Sequence, residues 1–430
     1  MMQINRKPAK IFYGWWIVAL GAIIIATGHG ILMQSFTVFF LPFKREFLVS
    51  STSISLLYGA IRLEGGFEGP VVGYLIDRFG SKKMVIAGAI MAATGLIILS
   101  TVHNFTVFFL VYVLLISVGF NTGFWHPIFA SVNMWFVRRR GTCFSIINAA
   151  AGVGGMVMAP LLSYLILNYS WRTAALFAGF VVALVVIPAA LPMKRSPEAL
   201  GLYPDGRLAT VNQADKQRGD KGSGGEADFK VKQALKTSTY WLLALGMALR
   251  VSVTVALSAH LVPILVWRGM DEASAAYMVS LYAFGIVVTS LTLGWLSDRW
   301  NKARLFSLGI AVSIIGVLGL LLVQNDVILY IFTIALSITM GVVPIGWALV
   351  GDFFGRYSYA TLRGIISVGV GIGTFVSPIY AGWLFDRTGS YNIALITYSV
   401  VLLIAVAIFA LLRPPQMRGD IISQYVETPH

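Results

Sequence analysis

Apolar residues run through this chain in long blocks, about 20 to 30 residues at a time, cut by short polar turns. A block of about 20 apolar residues crosses a bilayer's hydrocarbon core as a helix. The pattern predicts helices near 12–39, 53–76, 82–101, 105–135, 141–167 and 172–192. A second set is predicted near 238–267, 273–297, 303–323, 326–354, 360–384 and 391–412. The one long polar interruption, about 194 to 236, contains GDKGSGGEAD and has too few apolar residues for a span or a core. The expected organisation is a first helical bundle over 1–193, a linker over 194–236, a second bundle over 237–415 and a tail over 416–430. The fold class is all-α membrane protein, and an even number of spans puts both termini on one side.

The turns contain a repeat. Gly73 to Lys83 reads GYLIDRFGSKK, and Gly294 to Arg304 reads GWLSDRWNKAR, an offset of 294 − 73 = 221 residues. A helix–charged turn–helix unit recurring at half the chain length marks duplicated membrane halves. Gly73, Asp77, Arg78, Gly80, Lys82 and Lys83 resemble the signature loop of the major facilitator superfamily, between its second and third helices. Gly294, Asp298, Arg299, Lys302 and Arg304 are similar to its echo between helices eight and nine. The resemblance implies twelve transmembrane helices in two pseudo-symmetric six-helix halves that rock about a central site. It assigns Gly73, Asp77, Arg78, Lys82, Lys83, Asp298 and Arg299 to gating.

Composition supports a membrane setting independently. Of 430 residues 57% are hydrophobic and only 12% charged, with mean hydropathy +0.80. The net charge of +14 suggests nucleic acid at first sight. Its basic residues, however, cluster at the ends of apolar blocks: Arg6, Lys7, Lys10, Arg78, Lys82, Lys83, Arg138, Arg139, Arg140, Lys194 and Arg195 share one side. The opposite turns carry few, such as Lys44, Arg45 and Arg172. This bias places the termini and linker in the cytoplasm, in a multi-pass protein expected of a bacterial inner membrane, with lipid rather than nucleic acid as its surroundings. The first apolar block is too long for a signal-peptide core. The lone Cys143 excludes an internal disulfide and a multi-cysteine metal site. Glycine-rich stretches at Gly152–Gly155 and Gly369–Gly373 lie inside apolar blocks with no preceding strand, so they suit helix packing rather than a phosphate loop. No cofactor, metal site or enzyme activity is expected, and the chain is expected to work as a monomer.

The opening Tyr13-Gly14-Trp15 with Thr37-Val38-Phe39-Phe40 resembles the monocarboxylate porter and oxalate–formate antiporter branch. That resemblance implies a small organic anion as substrate. Two branch features are missing. Gln34 stands where many members carry a lysine. Helix eight, YAFGIVVTSLTL, has Ile286 and Ser290 where members carry an aspartate–arginine pair that holds the substrate carboxylate.

Other polar residues are therefore candidates for the site. Ionisable groups inside membrane helices are costly, so they face a cavity or a partner. Arg62, Glu64 and Glu68 fall in helix two. Arg62 is either a substrate or outer-gate contact or a partner of a glutamate. Glu64 and Glu68 are candidates for proton coupling or for an internal ion pair. At 100° per residue Gly66, Pro70, Gly73 and Asp77 form a narrow stripe suited to packing on the other half. Asn121 and Trp125 share a face of helix four, beside His126, with Trp347 as the second-half counterpart and His29 on helix one. The resemblance puts helices one, four, seven and ten around the cavity. Arg250 lies about 12 residues into helix seven, roughly 18 Å deep, with no acid in that helix. It binds either a substrate carboxylate through its planar fork or Glu64 or Glu68. His260 lies further out. Three functions compete: a proton-coupled or exchanging porter for a monocarboxylate-like anion, an exporter of lipophilic or cationic compounds, and a sensor or membrane enzyme on a transporter fold.

Overall fold

The computed structural model describes residues 12–34, 39, 42–43, 46–49, 51–206, 229–270, 272–322 and 326–415. Arg6, Lys7, Lys10, Thr37, Val38, Phe40, Lys44, Arg45, most of the linker and the tail beyond 415 lie outside these residues, as do the side chains of Gln34 and Arg62.

The first half contains α1 (13–34), α2 (Ser51–Phe79), α3 (Ser81–Leu99), α4 (Phe105–Trp135), α5 (Arg140–Asn168) and α6 (Trp171–Ala190). The second contains α7 (Ser238–Trp267), α8 (Glu272–Ser297), α9 (Lys302–Leu322), α10 (326–354, broken at Val342), α11 (Tyr359–Thr388) and α12 (Asn392–Leu411). Among the described residues ten helices are long and apolar enough to cross a membrane. Helix is the form that satisfies backbone polar groups within a single segment in lipid. The turns supply caps: Asn104 accepts from Thr106 N and Val107 N, Ser170 from Thr173 N, and Thr237 from Tyr240 N.

The halves meet along two helix pairs, α2 with α11 and α5 with α8. The glycine stripe of α2 permits the first. A Cβ at Gly73 would lie 2.3 Å from the Ala360 carbonyl oxygen, so only glycine allows that approach. Its repeat partner Gly294 does the same for α8, where a Cβ would lie 1.9 Å from Ser145 Oγ. Repeated glycines in sequence thus become repeated close contacts between halves.

One local feature has no counterpart in the hydrophobic pattern. Helices α1, α4 and α6 contain π-helical turns, at Gly30–Gln34, at Tyr112–Ser117 and Asn121–Trp125, and at Val182–Val186. Two of these border the central cavity. Wider turns there rotate His29, Asn121 and Trp125 relative to a regular helix, a device common at functional sites.

Candidate functional site

Charge is handled first at the signature-loop face. Asp77 ends α2 against the N-terminus of α11. It accepts from Ala360 N at 3.3 Å, Thr361 N at 2.9 Å and Thr361 Oγ1 at 2.6 Å. Asp298 ends α8 against the N-terminus of α5, accepting from Gly141 N at 2.8 Å and Thr142 N at 3.0 Å. Each carboxylate satisfies orphan helix donors and sits at the positive end of a helix dipole of the opposite half. Between them Arg140, fully buried, meets Asp352 at 3.0 Å, and Lys302 meets the same carboxylate at 2.6 Å. Arg356 adds bonds to Met134 O and Glu198, both at 3.0 Å. These bonds join the halves on this face.

The other gating candidates divide. Lys82 donates to Leu191 O, and Arg195 donates to the backbone oxygen of Asp77, tying the loop to the start of the linker. Arg78 is exposed and reaches Tyr74 Oη within its own helix, so it is not the partner of Asp77. Lys83 is exposed. Arg299 stacks 3.6 Å from the centroid of Trp295.

Above the closed face lies a cavity of about 410 Å³ between the halves. It is walled by α1, α2, α4, α5, α7, α8, α10 and α11, which gives α2, α5, α8 and α11 a share alongside the four helices expected. His29, Asn121, Trp125, His126, Arg250 and Trp347 all line it. His260 does not. Its Nε2 donates to Pro378 O at 3.0 Å and its Nδ1 lies 3.2 Å from Tyr391 Oη, so it joins α7 to α11 and α12. Ile286 of α8 lines the cavity, while Ser290 is buried below it, accepting from Asn148 Nδ2 at 3.0 Å.

Among the described residues no aspartate or glutamate lines this cavity, yet two arginines do. Arg250 is fully buried. Its Nη1 donates to Thr339 O at 2.6 Å, and Nε and Nη2 have no partner among the described residues. It makes no ion pair with Glu64 or Glu68 there. The second arginine, Arg363, escapes sequence reasoning. It stands one turn inside α11, where a basic residue looks like an end-of-span orientation charge. The fold instead buries it, packs its guanidinium between the rings of Phe129 and Trp347 at 4.3 and 4.5 Å, and leaves Nε unpartnered. Its Nη1 donates to Trp125 O at 3.3 Å. The sequence offers only that Arg363 stands as a lone charge in YATLRG; that this whole opening turn is buried is seen in the fold.

Glu64 and Glu68 face α4 rather than an arginine. Glu64 Oε2 accepts from Ser117 Oγ at 2.5 Å and from Asn121 Nδ2 at 3.3 Å; Glu68 Oε1 accepts from Thr122 Oγ1 at 3.4 Å. Glu64 Oε1 and Glu68 Oε2 find no donor among the described residues. Asn121 touches both this pair and the cavity.

A family model of the Major Facilitator Superfamily matches residues 18–268 and 239–424. Monocarboxylate transporter 12 of Xenopus laevis is 24% identical over 468 residues, covering 99% of this chain and 96% of that protein. An uncharacterised transporter of the same superfamily from Bacillus subtilis, YcxA, is 24% identical over 392 residues, covering 87% of this chain and 90% of its own. In fold the chain is similar to FucP in the outward conformation, with TM-score 0.68, 15% identity, and coverage of 93% of this chain and 99% of that one. Repeated loops, paired helix contacts between halves and a central cavity all agree with these matches. The chain belongs to the Major Facilitator Superfamily and is a membrane transporter whose described residues form α1 to α12 in two halves, ten of these helices being long and apolar enough to cross a membrane.

Proposed function

We propose that this transporter moves a small organic anion of the monocarboxylate type by alternating access, coupled to protons or by exchange. The observation that carries this is the cavity's charge: among the described residues its lining holds two buried guanidinium groups and no acid. A buried cation without a counter-ion is costly, and an incoming carboxylate supplies one. The names of relatives such as Monocarboxylate transporter 12 support the same class. Helix eight lacks the branch's arginine, and the basic groups come instead from α7 and α11.

In this account Arg250 and Arg363 draw in the carboxylate, Trp125 and Trp347 pack its apolar part, and Asn121 or His126 contacts a further polar group. Glu64 and Glu68 hold the coupling proton between them, one side chain away from the substrate through Asn121. Asp77 and Asp298 hold the signature-loop face shut, so the cavity is loaded from the opposite side. The positive-inside bias supports placing that closed face and both termini in the cytoplasm.

The aromatic lining also suits an exporter of lipophilic cations, but the two positive charges oppose that cargo. Flux into proteoliposomes separates the two. Labelled monocarboxylate uptake that responds to an imposed pH gradient or to internal counter-substrate, without ATP, is the expected result. Uptake of a lipophilic cation alone, or a requirement for ATP, rejects the proposal.

A further inference from the structure

A second cleft, also of about 410 Å³, opens on the signature-loop face at the seam of α5 and α8. Its walls are Trp15, Arg138, Arg139, Thr142, Trp295, Asp298 and Arg299. The transport account uses Asp298 and Thr142 of these walls for the gate and leaves the cleft itself and its arginines without a ligand. Its three arginines outnumber its one acid. Both oxygens of Asp298 are already taken up by Gly141 N and Thr142 N, and the nearby Asp205 accepts from Val137 N and Arg138 N. All three arginines are exposed, and two are oriented over indole rings: Arg299 at 3.6 Å from the Trp295 centroid and Arg139 at 5.9 Å from that of Trp15.

The position of those rings selects the ligand. Trp15 stands in the first turn of α1 and Trp295 in the last turn of α8, the depth at which indoles sit between headgroups and acyl chains. Trp16 and Trp300, 55% and 60% exposed, extend the aromatic surface at that level. A soluble anion would meet the arginines but leave this apolar wall bare. A lipid satisfies both, with its phosphate on the guanidinium groups and its glycerol and upper acyl chains along the indoles.

We propose that this cleft binds the phosphate headgroup of an anionic phospholipid and that the bound lipid favours the state closed on this face. Arg138 and Arg139 belong to the first half and Arg299 to the second. One phosphate between them bridges two bodies that must part when the face opens. Lipid bound to the closed state and not to the open state shifts the equilibrium toward closure by linkage.

The test uses the full chain in nanodiscs of phosphatidylcholine alone or mixed with phosphatidylglycerol. Spin labels on cysteines introduced at Lys83 and Arg304 report opening of the face, and native mass spectrometry reports retained lipid independently of transport. Phosphatidylglycerol is expected to raise the closed-to-open ratio about fivefold and to survive as a bound adduct. Arg138→Gln with Arg139→Gln removes both effects, and the Arg→Lys pair, which keeps the charge and controls for folding, retains most of the shift. Inorganic phosphate added to phosphatidylcholine discs leaves the ratio unchanged. The proposal is overturned if phosphatidylglycerol shifts nothing and leaves no adduct, if the Gln pair responds as the parent does, or if inorganic phosphate reproduces the shift. These outcomes leave the substrate assignment untouched, because no arm depends on which solute is carried.

Discussion

Buried arginines at the two ends of the cavity are treated in opposite ways. On the signature-loop face Arg140 is fully buried against Asp352, which also takes Lys302. In the cavity Arg250 and Arg363 are equally buried, with no acid among the described residues that line it. A protein that seals its gate with internal pairs can supply a counter-ion where it wants stability. Leaving Arg250 with two unpartnered nitrogens costs stability, and that cost is recovered when an anion arrives. The difference separates a structural charge from a binding one, and it is measurable.

The largest effect is expected at the gate. Asp352→Asn removes the carboxylate facing both Arg140 and Lys302, and breaking such a buried pair costs about 3–5 kcal/mol. A thermal melt of the purified variant should fall well below that of the parent. In the cavity the sign should reverse. Arg250→Met replaces a cation that has no counter-ion and should leave the substrate-free melt unchanged or raised by about 1–4 kcal/mol, while abolishing anion uptake. If both substitutions destabilise alike, Arg250 has an internal partner and the contrast is lost.

Next comes Arg250→Lys. Lysine can still reach Thr339 O, but it loses the planar fork. One charge-assisted hydrogen bond is worth about 1.5–3 kcal/mol, so substrate affinity should drop about 10- to 150-fold. Asp77→Asn should act on motion rather than binding. The amide keeps a hydrogen-bonding oxygen but loses the charge at the N-terminus of α11, an effect of about 0.3–1 kcal/mol. Transport should fall with equilibrium affinity little changed; a large loss of binding would move Asp77 into the substrate site.

The smallest effect concerns a pair on the opposite face. Glu46 in the α1–α2 connection bonds Arg172 at 2.8 Å, and that hydrogen bond holds its carboxyl below the usual 4.5. A depressed folded-state value means the contribution is present above 4.5 and is lost as pH falls through the folded value. The pair is partly exposed, so the parent should lose only slightly more stability on acidification than Glu46→Gln does. An identical acid response in both would show that the pair contributes nothing.

Much of the scaffold was legible because membrane helices must be long, apolar and internally bonded, which writes their limits into the sequence. The stripe of Gly66, Pro70, Gly73 and Asp77 also marked the α2 face that packs on the other half, whereas the matching approach at Gly294 emerged only from the fold. The cavity was less legible. Asn121, Trp125, His126 and Trp347 could be ranked from helix position, yet His260, chosen on the same grounds, turned to Tyr391 and Pro378 instead. Which face of a helix meets the cavity depends on rotation, and the π-turns at Gly30–Gln34 and Asn121–Trp125 alter that rotation without any hydrophobic signal. Arg363 was hidden for another reason. A charge one turn inside a span reads as an end signal until neighbouring helices extend past it and bury it.

Equilibrium binding to the purified transporter tests the central claim most directly. A labelled monocarboxylate, its neutral amide analogue and a lipophilic cation would be measured against the parent and against Arg250→Lys and Arg363→Gln. Binding of the carboxylate alone, weakened at least about tenfold by either substitution, is the predicted result. Unchanged carboxylate affinity in both variants, or binding of the cation in preference to the carboxylate, would contradict it.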